Sequence, residues 1–192
     1  MSILPIYVFD HPILRKKADI INSIDDSLIS FIADMKQTMH YADGIGLAAN
    51  QVGSPLSLTV IDISPMTGYE QTKPLTIINP RILYYSDEDT DYEEGCLSLP
   101  YLRDTVIRPE AIQVRFMDEN MKEHTIEADG LLARVLQHEI DHLHGIYFSD
   151  RLSSIRKTLM QNKLKKISRG DISPEYDIIL SNGELITFQE ED

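Results

Sequence analysis

The most constraining feature of this sequence is the segment QHEIDH at residues 137–142, in which two histidines lie four residues apart. Each residue of an α-helix advances about 100°, so His138 and His142 would lie roughly 40° apart on one face. Two imidazoles in that arrangement can bind one metal ion. Glu139 lies beside the pair, where its carboxylate can exchange protons with a nearby water. The segment therefore predicts a helix that carries a metal and a proton carrier.

Apolar residues surround these polar side chains on the predicted helix, namely Leu131, Leu132, Val135, Leu136, Ile140 and Leu143. This pattern predicts that the helix is buried. The alternative is that both histidines are incidental groups on a polar face. Buried imidazole and carboxylate groups need partners, however, and a metal ion supplies one. We therefore favour the metal site.

Length, composition and charge place the chain among globular proteins. Its 192 residues, of which 42% are hydrophobic, can form one domain with a real core. We therefore treat residues 1–192 as a single domain. The formal net charge of −13 disfavours direct binding to DNA and to anionic membranes.

Cysteine usage and hydropathy predict a cytoplasmic location. A single cysteine excludes an internal disulfide, which fits a reducing compartment. No apolar run reaches the roughly 18 residues that a membrane span needs. The first residues also lack the basic and apolar regions of a secretory signal.

The first half of the chain alternates between turns and regular elements. Two prolines predict an extended arm or edge segment over residues 3–14. Apolar spacing predicts a helix over residues 24–39, capped by Ser23 or Asp25. The segment from Gly44 to Gln51 predicts a loop that approaches a ligand, and the alternative is an ordinary tight loop. Strands are predicted at the following residues: 56–63, 75–78 and 81–85.

The second half contains the predicted central helix. Residues 86–94 are acidic, which predicts a solvated loop or edge. Strands are predicted over residues 103–108, 111–117 and 124–128, with a turn at 118–120. The metal-binding helix follows and is expected to stop at Gly145. This order predicts an α+β fold in which antiparallel β-sheets pack around the metal-binding helix.

A second helix over residues 155–167 and a polar tail are predicted to follow. The helix is the one basic part of an acidic chain, with Arg156, Lys157, Lys163, Lys165, Lys166 and Arg169 in or next to it. One interpretation is a solvated face, and the other is a docking surface for an anionic partner. From Gly170 the chain is acidic, ends in Glu190, Glu191 and Asp192, and is predicted to be prone to fraying.

A catalytic metal site of the zinc type usually needs a third protein ligand. One class of metalloproteases places a third histidine where this chain has Phe148, and another uses a downstream glutamate. Glu175 and Glu184 are available, but both lie in the polar tail. Cys96 is the remaining candidate, because a thiolate binds iron(II) or zinc well. A lone cysteine is more often a small buried hydrophobic residue.

Three segments together resemble the motifs of peptide deformylase of the bacterial type. They are GIGLAANQ at residues 44–51, EGCLSLP at 94–100 and QHEIDHLHG at 137–145. The resemblance extends from about Leu4 to about Lys166 and matches the family in order and spacing. One position differs, because Asn50 stands where the family commonly has Pro or Thr. The resemblance does not reach the tail beyond about Gly170.

The resemblance implies the activity and the metal. The family removes the N-formyl group from the initiator methionine of nascent polypeptides. By resemblance, Cys96, His138 and His142 hold Fe²⁺, for which Zn²⁺, Ni²⁺ or Co²⁺ can substitute. Glu139 would carry the proton. The side-chain amide of Gln51 and the backbone N–H of Leu97 would donate hydrogen bonds to the oxyanion.

The resemblance also implies where the formyl-methionyl peptide binds. The backbone from Gly44 to Gly46 would contact the extended peptide, and the methionine side chain would enter a pocket near Ile45, Leu131, Val135 and His138. Arg103 would lie at the mouth of this pocket, although it could equally be a surface strand residue. Asp141 and His144 are expected to be structural.

Two rival functions fit part of the pattern. A metallo-endopeptidase would share the histidine motif. A non-catalytic metal-binding or ribosome-associated module would keep Cys96 and both histidines, but it would need neither Glu139 nor Gln51.

Overall fold

The computed structural model describes residues 2–189. Within this range the chain forms three α-helices, which are α1 (Asp26–Tyr41), α2 (Gly130–Leu143) and α3 (Ser154–Arg169). The strands are β1 (Ile6–Tyr7), β2 (Gly46–Ala48), β3 (Leu58–Ile61), β4 (Leu75–Tyr85), β5 (Asp89–Cys96), β6 (Leu99–Pro109), β7 (Ala111–Met117), β8 (Glu123–Asp129), β9 (Ile178–Ile179) and β10 (Leu185–Ile186).

The chain forms three sheets, and two of them contact the buried helix α2. The largest is antiparallel, has five strands in the order β2-β3-β4-β7-β8, and contacts α2 through β2, β3 and β8. Strands β5 and β6 form an antiparallel pair, and β1, β9 and β10 form a third sheet. The predicted α+β class is therefore confirmed. One pairing differs from the antiparallel expectation, because β1 runs parallel to β9.

The helices begin and end close to the predicted residues. Asp25, rather than Ser23, caps α1, and its carboxylate accepts a hydrogen bond from the backbone N–H of Leu28 at 2.8 Å. Helix α2 ends two residues before Gly145, which has a φ of +74°. A Cβ at this glycine would lie 2.5 Å from the carbonyl oxygen of Arg15, so a side chain there would clash.

The two strands predicted at residues 75–78 and 81–85 are one continuous strand, β4. Its register with β7 shifts between Ile78 and Arg81, which marks a bulge at Asn79 and Pro80. Asn79 has a φ of +51°. Its side-chain amide donates to the carbonyl of Ile21 at 2.7 Å and accepts from the N–H of Ile21 at 3.0 Å. These bonds stabilise the bulge, so the turn residues bend the strand without ending it.

The prediction of a solvated loop over residues 86–94 is wrong for most of that stretch, because β5 begins at Asp89. Acidic residues are uncommon in strands, which is why the composition indicated a loop. Here the backbone pairs along the whole strand with β6, from Asp89 opposite Pro109 to Gly95 opposite Arg103. Most of the acidic side chains stay exposed, whereas Glu94 is buried.

The tail after Gly170 contains regular structure that its composition did not indicate, namely the short strands β9 and β10. Strand β9 lies between β1 and β10. Tyr176, Ile178 and Leu180 are buried in a core cluster that also contains residues of β1 and β6. Polar residues lie between these apolar side chains, so the composition of the segment did not indicate that it is buried. Glu190, Glu191 and Asp192 lie outside the described residues.

None of the helices in residues 2–189 combines the length and apolar character required to cross a membrane.

Candidate active site

Helix α2 and the end of β5 bring three potential metal ligands together. The Nε2 atoms of His138 and His142 lie 3.2 Å apart. The Sγ atom of Cys96 lies 3.2 Å from the Nε2 atom of His142. The three donor atoms all lie within 4.8 Å of one another. Donors that bind one ion at about 2.0–2.3 Å are separated by roughly this spacing. A thiolate and two imidazoles also suit iron(II) and zinc, so these residues fit the expected ion.

A buried carboxylate orients the first histidine. The Oε2 atom of Glu94 lies 2.8 Å from the Nδ1 atom of His138, which leaves the Nε2 atom facing the cluster. Burial alone would lower the pKa of His138, but hydrogen bonds with Cys96 and Glu94 raise it to about 10. Burial, followed by the charge of His138, lowers the pKa of His142.

Glu94 belongs to a buried network of ion pairs. Its carboxylate accepts hydrogen bonds from Arg108 at 2.6 and 2.9 Å and from Arg134 at 2.9 Å. Burial opposes ionisation, yet Arg108 and His138 hold the pKa of Glu94 well below its usual range. Buried charges persist only when paired in this way. Sequence reasoning did not identify Glu94 as a site residue, although it precedes Cys96 by two positions and lies on the same strand.

Asp141 and His144 do not join the metal cluster. The carboxylate of Asp141 accepts hydrogen bonds from Arg108 at 2.6 Å and from Arg151 at 2.5 Å. His144 faces the carbonyl of Ile140, with its Nδ1 atom at 2.8 Å from that oxygen. Both contacts agree with the structural roles expected for these two residues.

Glu139 is buried beside the ligands without belonging to the cluster. The hydroxyl of Thr59 donates a long hydrogen bond to its Oε2 atom at 3.5 Å. A Cβ at Gly46 would lie 2.4 Å from its Oε1 atom, so only glycine leaves room for this carboxylate. Burial raises the pKa of Glu139 to about 7. A carboxyl group with such a pKa can both accept and donate a proton near neutrality.

The side chain of Gln51 is held with its amide nitrogen toward the cluster. Its Oε1 atom accepts a hydrogen bond from the backbone N–H of Ala48 at 2.8 Å. Its Nε2 atom donates to the hydroxyl of Ser98 at 3.1 Å and lies 3.6 Å from the sulfur of Cys96. The neighbouring Asn50 donates to the carbonyl of His142 at 2.6 Å. The residue that departs from the family pattern therefore binds the end of α2.

A cleft of about 790 Å³ opens over the cluster. The residues expected to bind the peptide all line it, namely Gly44, Ile45, Gly46, Arg103, Leu131 and Val135. Gln51, Cys96, Leu97, His138 and Glu139 line it as well. Arg103 is exposed on β6 opposite Gly95, so it is both a surface strand residue and part of the cleft wall.

The structure also brings residues to the cleft that were not predicted there. Glu175 and Tyr176 of the C-terminal segment line the wall of the cleft. Glu175 was considered as a metal ligand, but Cys96 was favoured. His40 and Asp62 lie on another side, with the Nε2 atom of His40 2.9 Å from the Oδ2 atom of Asp62. Glu175 and Tyr176 lie far from the three motifs in sequence, and His40 and Asp62 lie outside them, so no motif indicated their position.

Comparison with known proteins agrees with this geometry. The family model described as Polypeptide deformylase matches residues 3–158 of the chain. The chain belongs to the polypeptide deformylase family. It is 41% identical over 191 residues to a peptide deformylase of Salinibacter ruber, covering 96% of this chain and 98% of the relative. It is 42% identical over 172 residues to that of Agrobacterium fabrum, covering 90% of this chain and 100% of the relative.

Solved structures of the family have the same fold. The crystal structure of a peptide deformylase from Legionella pneumophila superposes with a TM-score of 0.80 at 40% identity, covering 88% of this chain and 97% of that chain. The one from Ehrlichia chaffeensis gives a TM-score of 0.81 at 37% identity, covering 88% of this chain and 99% of that chain.

Proposed function

We propose that this chain is a metal-dependent deformylase that removes the N-formyl group from the N-terminal methionine of nascent polypeptides and releases formate. The observation that carries the proposal is the convergence of Cys96, His138 and His142 beside the buried carboxylate of Glu139 at the base of a cleft. Family membership supports the same reaction. We further propose that residues 1–192 act as one catalytic domain.

The residues of the site have separate roles in hydrolysis. Cys96, His138 and His142 would hold the ion. When bound, a divalent ion supplies Lewis-acid chemistry that makes a water molecule nucleophilic near neutral pH. Glu139 accepts a proton from the attacking water and donates it to the leaving amine, for which a pKa of about 7 is well suited.

Two donors stabilise the charge that develops on the formyl oxygen. The amide nitrogen of Gln51 is one donor. The backbone N–H of Ala48 donates a hydrogen bond to the side-chain oxygen of Gln51, which orients this nitrogen before substrate binds. The backbone N–H of Leu97, next to the ligand Cys96, is the other. Donors held in place in this way need no reorganisation during the reaction, and removing one typically costs ~10²–10³ in rate.

The cleft supplies the specificity for formyl-methionyl peptides. Ile45, Leu131 and Val135 provide an apolar surface for the methionine side chain. The backbone from Gly44 to Gly46 lines the cleft where the extended peptide would lie, and Arg103 lines it as well. Cytoplasmic nascent chains are the proposed source of substrate.

The assay that tests the proposal is release of formate from formyl-Met-Ala. A metallo-endopeptidase would instead cleave an internal bond of an unformylated peptide. We expect formate release without internal cleavage. Within residues 2–189 the donor that joins the two histidines is Cys96, whereas the metalloproteases considered above use a third histidine or a downstream glutamate. Internal cleavage without formate release would overturn the proposal in favour of the endopeptidase.

Fe²⁺ is the ion that we propose for the cell. Cys96 is half-buried and lines the open cleft, so oxygen and water can reach its sulfur. A thiolate beside iron(II) can oxidise stepwise in air. We predict that protein purified in air loses activity and gains oxidised Cys96, whereas anaerobic protein loaded with iron(II), nickel or cobalt keeps its activity.

The measurement is the rate of formate release per bound ion, taken with and without air for each metal. Mass spectrometry of the peptide that contains Cys96 gives a second readout that does not depend on turnover. Equal rates and equal durability for the iron and zinc forms would contradict the choice of iron.

We also propose that α3 brings the enzyme to the ribosome. Lys163, Lys165 and Lys166 are exposed on α3 of a protein whose net charge is −13. Such a protein is repelled by a phosphate-rich surface unless cations are clustered locally. Changing these three lysines to Glu is therefore expected to reduce co-sedimentation with ribosomes at low salt severalfold, with turnover of a short formyl-peptide unchanged.

A matched control separates local from overall charge. Lys17, Lys73 and Lys122 are also exposed but lie outside α3, and their change to Glu alters the net charge equally. If the two triple variants co-sediment equally well, α3 is a solvated face and the docking proposal fails.

A further inference from the structure

The segment that follows α3 lies against the active site. Glu175 and Tyr176 line the cleft, and the ring of Tyr176 is buried in the same core cluster as Leu99 and Leu102. The matched family region ends at residue 158, so neither residue belongs to it. The part of the chain whose role was left open by the sequence therefore contacts the site directly.

Tyr176 is hydrogen-bonded to the segment that carries a ligand and a proposed donor. Its hydroxyl donates to the backbone carbonyl of Leu97 at 2.7 Å. The next carbonyl, that of Ser98, accepts a hydrogen bond from the backbone N–H of Phe9 at 2.9 Å. The carbonyls of Leu97 and Ser98, the two residues after Cys96, are thus held from outside β5 and β6. The Leu97 N–H belongs to the preceding peptide group and is joined to the held carbonyl only through the φ and ψ of Leu97, so fixing that carbonyl narrows the range over which the N–H can turn.

Tyr176 is itself held firmly in place. The carbonyl of Asp177 accepts a hydrogen bond from the N–H of Ile6 at 2.8 Å, which ties the segment to β1. The hydroxyl of Tyr101 donates to the carbonyl of Ser173, three residues before Tyr176. Burial raises the pKa of Tyr176, so the hydroxyl stays protonated and remains a donor. The hydrogen bond to Leu97 therefore connects two well-anchored parts of the fold.

We propose that Tyr176 is a positioning residue for deformylation: its hydroxyl fixes the Leu97 carbonyl and, through the backbone of Leu97, restricts the N–H that would donate to the developing oxyanion. The inference rests on the proposed function, because it assigns a purpose to the orientation of Leu97. It also makes the C-terminal segment part of the catalytic unit. A side chain that only filled the core would need the ring and not the hydroxyl.

Tyr176→Phe tests this distinction, because it removes the hydroxyl and keeps the ring. We expect kcat to fall roughly tenfold with KM changed less than twofold, since the donor is displaced rather than deleted. Amide hydrogen exchange of Leu97 and Ser98 is expected to speed up roughly five- to tenfold, because loss of the bond to the Leu97 carbonyl makes local opening of this segment easier. Metal content should match that of the parent.

Tyr147→Phe is the matched control. Tyr147 is buried in the same core cluster, but its hydroxyl makes no hydrogen bond to residues 96–98. This variant removes the same atom from the same core, so amide exchange at Leu97 is expected to stay at the parent rate. Melting temperatures of both variants show whether either change acts by weakening the whole fold.

The outcomes separate this inference from the proposed function. A parent protein that releases no formate contradicts the function, whereas the exchange of Leu97 still reports on the hydrogen bond. If Tyr176→Phe keeps both kcat and Leu97 exchange within twofold of an active parent, Tyr176 is a core residue and the inference is wrong. Equal losses in Tyr176→Phe and Tyr147→Phe would overturn it as well.

Discussion

Glu139→Ala is expected to keep its metal and to lose nearly all turnover, with kcat reduced on the order of 10³-fold. The physical reason is that different residues of α2 bind the metal and transfer the proton. His138 and His142 belong to the donor cluster, whereas Glu139 lies beside it with a pKa raised to about 7 by burial. Removing the carboxylate therefore removes the proton carrier and leaves the ligands in place.

The measurement combines metal content with single-turnover release of formate on the same sample. Glu139→Gln is the companion variant, because it keeps the volume that packs against Gly46 and loses only the ability to exchange a proton. Both variants should bind metal as the parent does. Metal-free protein after either change would show that Glu139 is a ligand.

Cys96→Ser is expected to weaken metal binding by at least about 100-fold and to lower activity in proportion. A hydroxyl is a harder and weaker donor than a thiolate. The serine occupies nearly the same space, so the contacts of Gln51 and Ser98 around this position can persist. The loss should therefore come from the bond to the metal and not from a rearranged fold.

Metal affinity measured with a competing chelator tests this expectation, and circular dichroism checks that the fold is kept. Activity restored by a large excess of metal would support a purely ligand role for Cys96. Full occupancy of Cys96→Ser at parent affinity would remove Cys96 from the ligand set.

Much of the site could be predicted because its chemistry depends on short motifs. The helical spacing of His138 and His142 needs no knowledge of the fold, since both lie on one turn of one helix. The position of Cys96 could not be predicted from spacing in this way, because its distance from the histidines depends on how β5 packs against α2. Donor chemistry made Cys96 the remaining candidate for the third ligand, and the combination of three motifs then assigned it by resemblance.

The parts that were missed depend on long-range packing. Residues 86–94 resemble a loop in composition, yet pairing with β6 makes most of them a strand and brings Glu94 inward to His138. Asn79 and Pro80 are typical turn residues, yet the contact with Ile21 keeps β4 continuous. In each case a tertiary contact outweighs the local preference.

The C-terminal segment illustrates the same limit at the level of function. Its polar composition predicted a frayed tail, whereas Tyr176 and Ile178 are buried against strands from the start and middle of the chain. Such contacts connect residues more than 70 positions apart, as the bond from Tyr176 to Leu97 does. No periodic pattern in the sequence indicates these long-range contacts.

The most direct test of the account is formate release from formyl-Met-Ala by anaerobic protein, before and after metal removal, with bound metal measured on the same sample. We predict formate release in proportion to bound metal, loss of release after chelation, and recovery on reloading with iron(II). Fully loaded protein that releases no formate, or metal-free protein that keeps the parent rate, would contradict the account.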